Sequence, residues 1–210
     1  MYWTAAKCYS TATYVRIVAS GHGPLQEPKH QYGLAARILH WLTVFMLLLT
    51  VPIGFAMTYR GGDLKIWDAT TNALYSSHKL LGFLILLIVV ARLINNRINR
   101  PPPDEPGMKK IFKVAAHGTH HFLYLLLLLV PITGWVATSM FPALNIFGLF
   151  SLPAIASPDQ KLSRLIFDYH AYLAYALLGV IAAHIAGALF HQFVLRDGII
   201  RRMWPRRSRG

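Results

Sequence analysis

The sequence predicts an all-α integral membrane protein, a four-helix bundle with both termini in the cytoplasm, and three observations carry that prediction. Apolar residues make up 55% of the chain and its mean hydropathy is positive, more than the interior of a soluble domain of this size calls for. Four apolar runs each reach the roughly 20 residues needed to cross about 30 Å of hydrocarbon. Lysine and arginine gather on alternate connections between those runs, the pattern that sets membrane orientation.

Taken in order, residues 1–31 form an N-terminal cytoplasmic extension and residues 32–207 the four-helix domain. The extension lacks a continuous apolar core and an evident cleavage site, so it does not read as a signal peptide. It holds the one cysteine, Cys8; a single thiol excludes an internal disulfide and any cysteine-rich metal or cluster site. Helix 1 is predicted over about 34–58 and contains "ILHWLTVFMLLLTVPIGFAM". Its Pro52, like Pro131 later, is compatible with a membrane helix because neighbouring groups can satisfy the freed carbonyl. Helix 2, about 78–98, contains "HKLLGFLILLIVVARLI" and gives way to the stiff, proline-rich segment "RINRPPPDEPG". Helix 3, about 117–140, contains "HFLYLLLLLVPITGWVA". The stretch after it, "MFPALNIFGLFSLPAIASPDQKLSRLIF", is apolar and aromatic but broken by Pro142, Pro153 and Pro158, so it is expected at the outer interface rather than across the membrane. Helix 4, about 169–194, contains "YHAYLAYALLGVIAAHIAGALF". None of these runs alternates apolar with polar residues, which argues against spanning strands.

The formal net charge of +13 raises nucleic acid as a partner, but the placement of the charges favours membrane topology. Lys7, Arg16, Lys29 and Arg37 come before the core of helix 1. Arg92, Arg97, Arg100, Lys109, Lys110 and Lys113 cluster around the connection between helices 2 and 3. Arg196, Arg201, Arg202, Arg206, Arg207 and Arg209 follow helix 4. The positive-inside rule puts all three groups in the cytoplasm, where the tail "RRMWPRRSRG" is a contact for anionic lipid headgroups. On the outer side, Lys79, Lys161 and Arg164 can steer an anion, offset by Asp63, Asp68, Asp159 and Asp168.

Ionisable groups inside membrane spans are costly and therefore point to function; here most are histidines. His170 and His184 stand fourteen residues apart in helix 4, a rise of roughly 21 Å and a rotation within roughly 40° of whole turns, so both face one way. His78, at the outer end of helix 2, matches His170 in depth. His40 of helix 1 and the cluster His117, His120 and His121 of helix 3 match His184. Two levels of paired imidazoles follow, the arrangement a bis-histidine heme requires. Zinc fits poorly, with no carboxylate or thiolate to complete a tetrahedral set. The same interval leads from His78 to Arg92, which either holds a heme propionate or snorkels to the interface. It also leads from His40 to Gly54 and from His120 to Gly134, glycines that leave room for a macrocycle edge or for helix packing. With "TVPIGF" echoed by "LVPITGW", the two hairpins look weakly related, and spacing leaves either His40 or His120 as the partner of His184.

The chain resembles the bacterial cytochrome b561 family of diheme, four-helix membrane proteins over about residues 32–207. The resemblance rests on "RILHWL", "SSHKLLGFLIL" with Arg92 downstream, "AHGTHHFLYLLLLLVPITG", "YHAYLAYALLGVIAAHIAGALFHQF" and "LRDGIIRRMWPRR". It implies two heme b groups, with His40 and His184 as iron ligands of the inner one and His78 and His170 of the outer. It also implies that His117 and His120 surround the inner site without ligating iron, and that His191 lies at a quinone site. His121 is additional to the family's pattern, and Arg37 and Ile38 stand beside His40 where small polar quinone contacts would be sought.

The resulting expectation is a superoxide:quinone oxidoreductase in the bacterial inner membrane. It would take electrons from superoxide at the outer face and pass them to ubiquinone near His191, His117 and His120. The alternative is a cytochrome b subunit that passes electrons between quinone and a partner dehydrogenase or respiratory oxidase complex. A third reading, a heme-free transporter with a histidine proton relay, predicts a colourless protein.

Overall fold

The computed structural model describes residues 31–104 and 107–204; Cys8, the charges of the extension and Arg206, Arg207 and Arg209 lie outside the described residues. Helix α1 (Leu34–Met57) runs on into a wide π-helical turn, Thr58–Asp63. After it come α2 (Ala69–Ile98) and α3 (Lys110–Met140), then a short antiparallel hairpin of β1 (Asn145–Ile146) and β2 (Phe150–Ser151). Helix α4 (Gln160–Phe190) ends in a second π-helical turn, His191–Leu195, and a short α5 (Ile199–Met203) follows. The four long helices are each apolar enough to cross a membrane.

The runs 78–98, 117–140 and 169–194 turn out to be only the apolar parts of longer helices. α2, α3 and α4 begin roughly two turns earlier, at Ala69, Lys110 and Gln160. Hydropathy marks the part of a helix that fits in lipid, whereas helical hydrogen bonding continues into the polar interface until a cap ends it. For α2 that cap is Asp68, accepting from the Thr71 N–H at 2.8 Å; for α4 it is Asp159, accepting from the Leu162 N–H at 3.0 Å.

α1 packs chiefly on α2 and α3 on α4, and the α2–α3 contact joins the two hairpins. Ile85 and Val89 of α2, Leu126 and Leu127 of α3 and Leu177 of α4 form a buried apolar layer, with Met46 and Leu47 of α1 packed against it. Leu177 stands midway between His170 and His184, so this layer separates the two histidine levels. Other large apolar side chains point outward, Phe45 at 54% exposure and Leu48 at 68%; bare apolar surface all round a bundle is what lipid covers. The inward hydroxyls of Thr43 and Thr50 donate to the carbonyls of Leu39 and Met46 at 2.7 and 2.8 Å, which removes the cost of burying them.

The connection between α3 and α4 folds over one end of the bundle. Lys79 of α2 donates to the carbonyls of Ala143 and Asn145 at 2.7 and 2.5 Å. The Trp135 ring N–H donates to the Pro153 carbonyl at 2.9 Å, and the Phe147 N–H to the Ser76 hydroxyl at 3.2 Å. Phe147 and Gly148, both with positive φ, make the tight hairpin tip. Lys79 is therefore a tether for this loop and not a free cation for steering. At the opposite end the Tyr32 N–H donates to the Arg202 carbonyl at 3.3 Å. Arg37 donates to the Trp204 carbonyl at 3.1 Å and the Trp41 ring N–H to the Met203 carbonyl at 2.9 Å. Arg202 donates to the Pro103 carbonyl at 2.6 Å. The start of α1, the α2–α3 connection and α5 thus share one basic end of the bundle.

Candidate functional site

At the end covered by the hairpin, α2 and α4 bring His78 and His170 together, ring centres 6.1 Å apart and planes at 87°. Two imidazoles on opposite sides of one metal ion have ring centres about 6 Å apart, from a metal–nitrogen bond of about 2 Å and about 1 Å from nitrogen to ring centre. His78 Nδ1 donates to the Thr50 carbonyl at 3.2 Å and His170 Nδ1 to the Val130 carbonyl at 2.8 Å. A carbonyl only accepts, so each Nδ1 carries the proton and each Nε2 keeps the lone pair that binds a metal. The Thr133 hydroxyl lies 3.5 Å from His170 Nδ1.

Both outer rings rest on glycine. A Cβ added at Gly54 would lie 3.0 Å from His78 Cε1, and one at Gly134 3.1 Å from His170 Cε1. These glycines make room for the imidazole of the neighbouring helix, and in each hairpin the accepting carbonyl lies four residues before the glycine. The relation between the two hairpins is therefore functional as well as sequential: each holds one outer imidazole by a glycine and a carbonyl. Beside the pair is an apolar cleft of about 180 Å³ whose lining includes Val51, Phe55, Gly82, Ile85 and Leu127. A Cβ at Gly82 would meet nothing within 4 Å, so the cleft is open there.

At the other level, α4 points His184 toward both candidates. Its ring centre is 6.4 Å from that of His40, with planes at 68°, and 5.3 Å from that of His120, with planes at 59°. The His40 separation matches the outer pair and the metal-bridged value; the His120 separation is shorter. Arg92 donates to His40 Nδ1 at 3.3 Å and to the Thr43 hydroxyl at 3.4 Å, and its guanidinium lies 5.2 Å from the centre of the Tyr124 ring. Tyr124 accepts from the Asn96 amide at 2.8 Å. Among the described residues Arg92 has no carboxylate partner, unusual for a half-buried guanidinium in a membrane span.

Among the described residues the remaining histidines do not gather around one point. His117, exposed, pairs with Asp104 at 3.1 Å. His121 Nδ1 donates to the His117 carbonyl at 2.6 Å. His191 sits in the π-helical turn with Nδ1 at 2.5 Å from Asp197 Oδ2, its ring flanked by those of Phe112 and Phe190. Asp104 and Asp197 escape sequence reasoning because their partners are set by connections whose path hydropathy does not describe. Thr43 and Tyr124 escape it because hydroxyls inside apolar runs resemble ordinary helix residues; Asn96 alone gives a signal, one helical turn past Arg92. Among the described residues no group of three or more His, Cys, Asp or Glu side chains converges. The donor sets are pairs of imidazoles, suited to a metal whose other ligands arrive with a macrocycle.

A four-helix membrane bundle with imidazole pairs facing each other in its apolar interior has the architecture of a membrane electron-transfer protein. The sequence profile of the prokaryotic cytochrome b561 family matches residues 31–206, and the chain belongs to that family, whose members bind b-type heme in the membrane. It is 26% identical over 179 residues to cytochrome b561 homolog 2 of Escherichia coli (strain K12), covering 85% of this chain and 93% of that protein. It is 27% identical over 179 residues to the probable superoxide oxidase CybB of Yersinia pestis, covering 80% and 93%. To cytochrome b562 of Cereibacter sphaeroides it is 28% identical over 178 residues, covering 85% and 96%.

Proposed function

We propose that this multi-pass bacterial membrane protein moves electrons across the inner membrane from superoxide at the hairpin-covered face to ubiquinone at the basic, cytoplasmic end. Two b hemes would be held between these ends, one by His78 and His170 and one by His40 and His184. In this reading the 32–207 domain performs the transfer, and residues 1–31 extend from it on the cytoplasmic side. The observation that carries the reading is the equal spacing of the two imidazole pairs, 6.1 and 6.4 Å, on a shared helix. The CybB relative supports superoxide as the donor.

Bound heme iron supplies a one-electron couple at each level. The protein's own part begins with the Thr50 and Val130 carbonyls, which fix the tautomer and raise the basicity of the outer ligands. At the inner level, ligation through His40 Nε2 requires Nδ1 to carry the proton. Such ligation would end the Arg92–His40 contact and free the guanidinium for an anionic group, the role expected of a propionate contact. The leucine and valine layer between the levels excludes water and keeps protons from following the electrons. His191, with His117 and His120 nearer the inner pair, supplies polar contacts for quinone.

The test is superoxide-driven quinone reduction by the purified protein without partner proteins. Quinol formation is expected; its complete absence would contradict the reading. The alternative, a cytochrome b subunit serving a dehydrogenase or respiratory oxidase complex, is favoured by the apolar hairpin tip, where Leu149 is 82% exposed. It predicts an inactive isolated chain and a stable partner on gentle extraction.

A further inference from the structure

The turn that carries His191 is built around a second side chain. Asp197 reaches back over the end of α4: Oδ2 lies 2.5 Å from His191 Nδ1, and Oδ1 accepts from the Ile199 N–H at 3.2 Å. Arg196 and Gly198 on either side both take positive φ, so the backbone reverses sharply to aim the carboxylate inward. For Arg196 that conformation is disfavoured, and such strain persists only where surrounding contacts hold it. Both partners are largely covered, with side-chain exposures of 12% for His191 and 22% for Asp197. On the His191 side the surroundings are aromatic, Phe112 of α3 and Phe190 of α4. On the Asp197 side there is a pocket of about 410 Å³ lined by Gln192, Phe193, Arg196, Asp197, Gly198 and Arg201. Asp197 thus separates an open, polar pocket at the basic end from an imidazole set among aromatic rings.

The geometry points to Asp197 and His191 as a proton relay, in which Asp197 orients His191 and passes it protons from the pocket for delivery to the reduced quinone. This rests on the quinone-reducing function proposed above. Two superoxide ions, one quinone and two protons give two dioxygen molecules and one quinol: superoxide is oxidised, quinone reduced, and both protons enter at the quinone. With Asp197 on Nδ1, Nε2 is the nitrogen that hydrogen-bonds the quinone oxygen: as Nε2 gives its proton to the quinone, Nδ1 takes one from the Asp197 carboxyl, the carboxylate is reloaded from the pocket, and exchange of the ring proton from Nδ1 to Nε2 resets the pair for the second proton. Among the described residues the charged groups lining the pocket beside Asp197 are Arg196 and Arg201, and Phe112 of α3 packs against the His191 ring. A pair sited merely to end α4 would need no pocket on the carboxylate side.

The test compares native protein with Asp197→Asn and Asp197→Glu, each loaded with heme, in steady-state superoxide:quinone assays. Asp197→Asn is expected to lower kcat for quinol formation about tenfold or more, with KM for quinone, heme content and the rate of heme reduction by superoxide unchanged. Asp197→Glu should recover most of the loss, and added formic acid, small enough for the pocket, should partly restore the Asn variant. Unchanged kcat in Asp197→Asn, or a loss that neither Glu nor formic acid relieves, would overturn the relay. Should the Asn variant fail to hold heme, the native protein decides: quinol formation must slow in D2O while heme reduction does not, and equal rates would refute the proposal. Failure of native protein to form quinol at all would count against the proposed function itself.

Discussion

Next to the histidines themselves, Gly54 and Gly134 bear most directly on the His78–His170 pair. At Gly134 a methyl group would stand 3.1 Å from His170 Cε1, tight enough to force a shift of a few tenths of an ångström. Gly134→Ala should therefore retain both hemes but alter the outer one's spectrum, and Gly134→Leu should lose the outer heme and keep the inner. Pyridine hemochrome assay with low-temperature spectra would show this, and full outer occupancy in the leucine variant would count against the contact. Histidines in apolar runs were legible from the sequence because few other residues there ionise. The glycines were legible as gaps, but what filled them was not, since periodicity places a residue on a face without naming its neighbour on another helix. Asp68 shows the same limit. Its role appears only once the Thr71 N–H, foremost, and Arg60 are seen to hold its carboxyl below the ordinary value of 3.8. Its contribution to the start of α2 should be complete above pH about 4 and fade as pH falls through the lowered value. The protection factor of the Thr71 amide, its exchange rate set against the intrinsic rate at the same pH, should fall in acid in native protein and be low at every pH in Asp68→Ala.

At the scale of elements, four apolar runs gave four helices, and the proline-broken segment forms no long helix but a connection with a short hairpin. Helix starts were less legible, because lipid-matched hydropathy ends before the capping aspartates do. Asp159→Ala should destabilise the start of α4 by about 1 kcal/mol, seen as a small loss of thermal stability in detergent with heme content unchanged. The tie between Lys79 and the Ala143 and Asn145 carbonyls was outside what sequence could offer, since it joins positions far apart in the chain. Lys79→Met should leave both hemes in place and speed proteolysis within 143–158; equal cleavage rates would show that the loop is held by other contacts. The π-helical turns left no periodic trace, because one added residue in a turn is smaller than the scatter of any hydrophobic pattern.

For the whole molecule, the central feature is α4 as a common support. It lends one imidazole to each level: His170 faces His78 of α2 at one, and His184 faces His40 of α1 and His120 of α3 at the other. The apolar layer of Ile85, Val89, Leu126, Leu127 and Leu177 keeps the levels apart. This division of labour was legible from a fourteen-residue spacing and from which runs carry histidine at which depth. The choice between His40 and His120 was not, and ring separation favours His40. The most direct measurement is the heme content per chain of native protein, His170→Ala and His184→Ala, purified alike and compared by reduced spectra. Two hemes are expected in the native protein and one in each variant, with different residual spectra. A native value of one, or loss of the same heme in both variants, would contradict the two-level site.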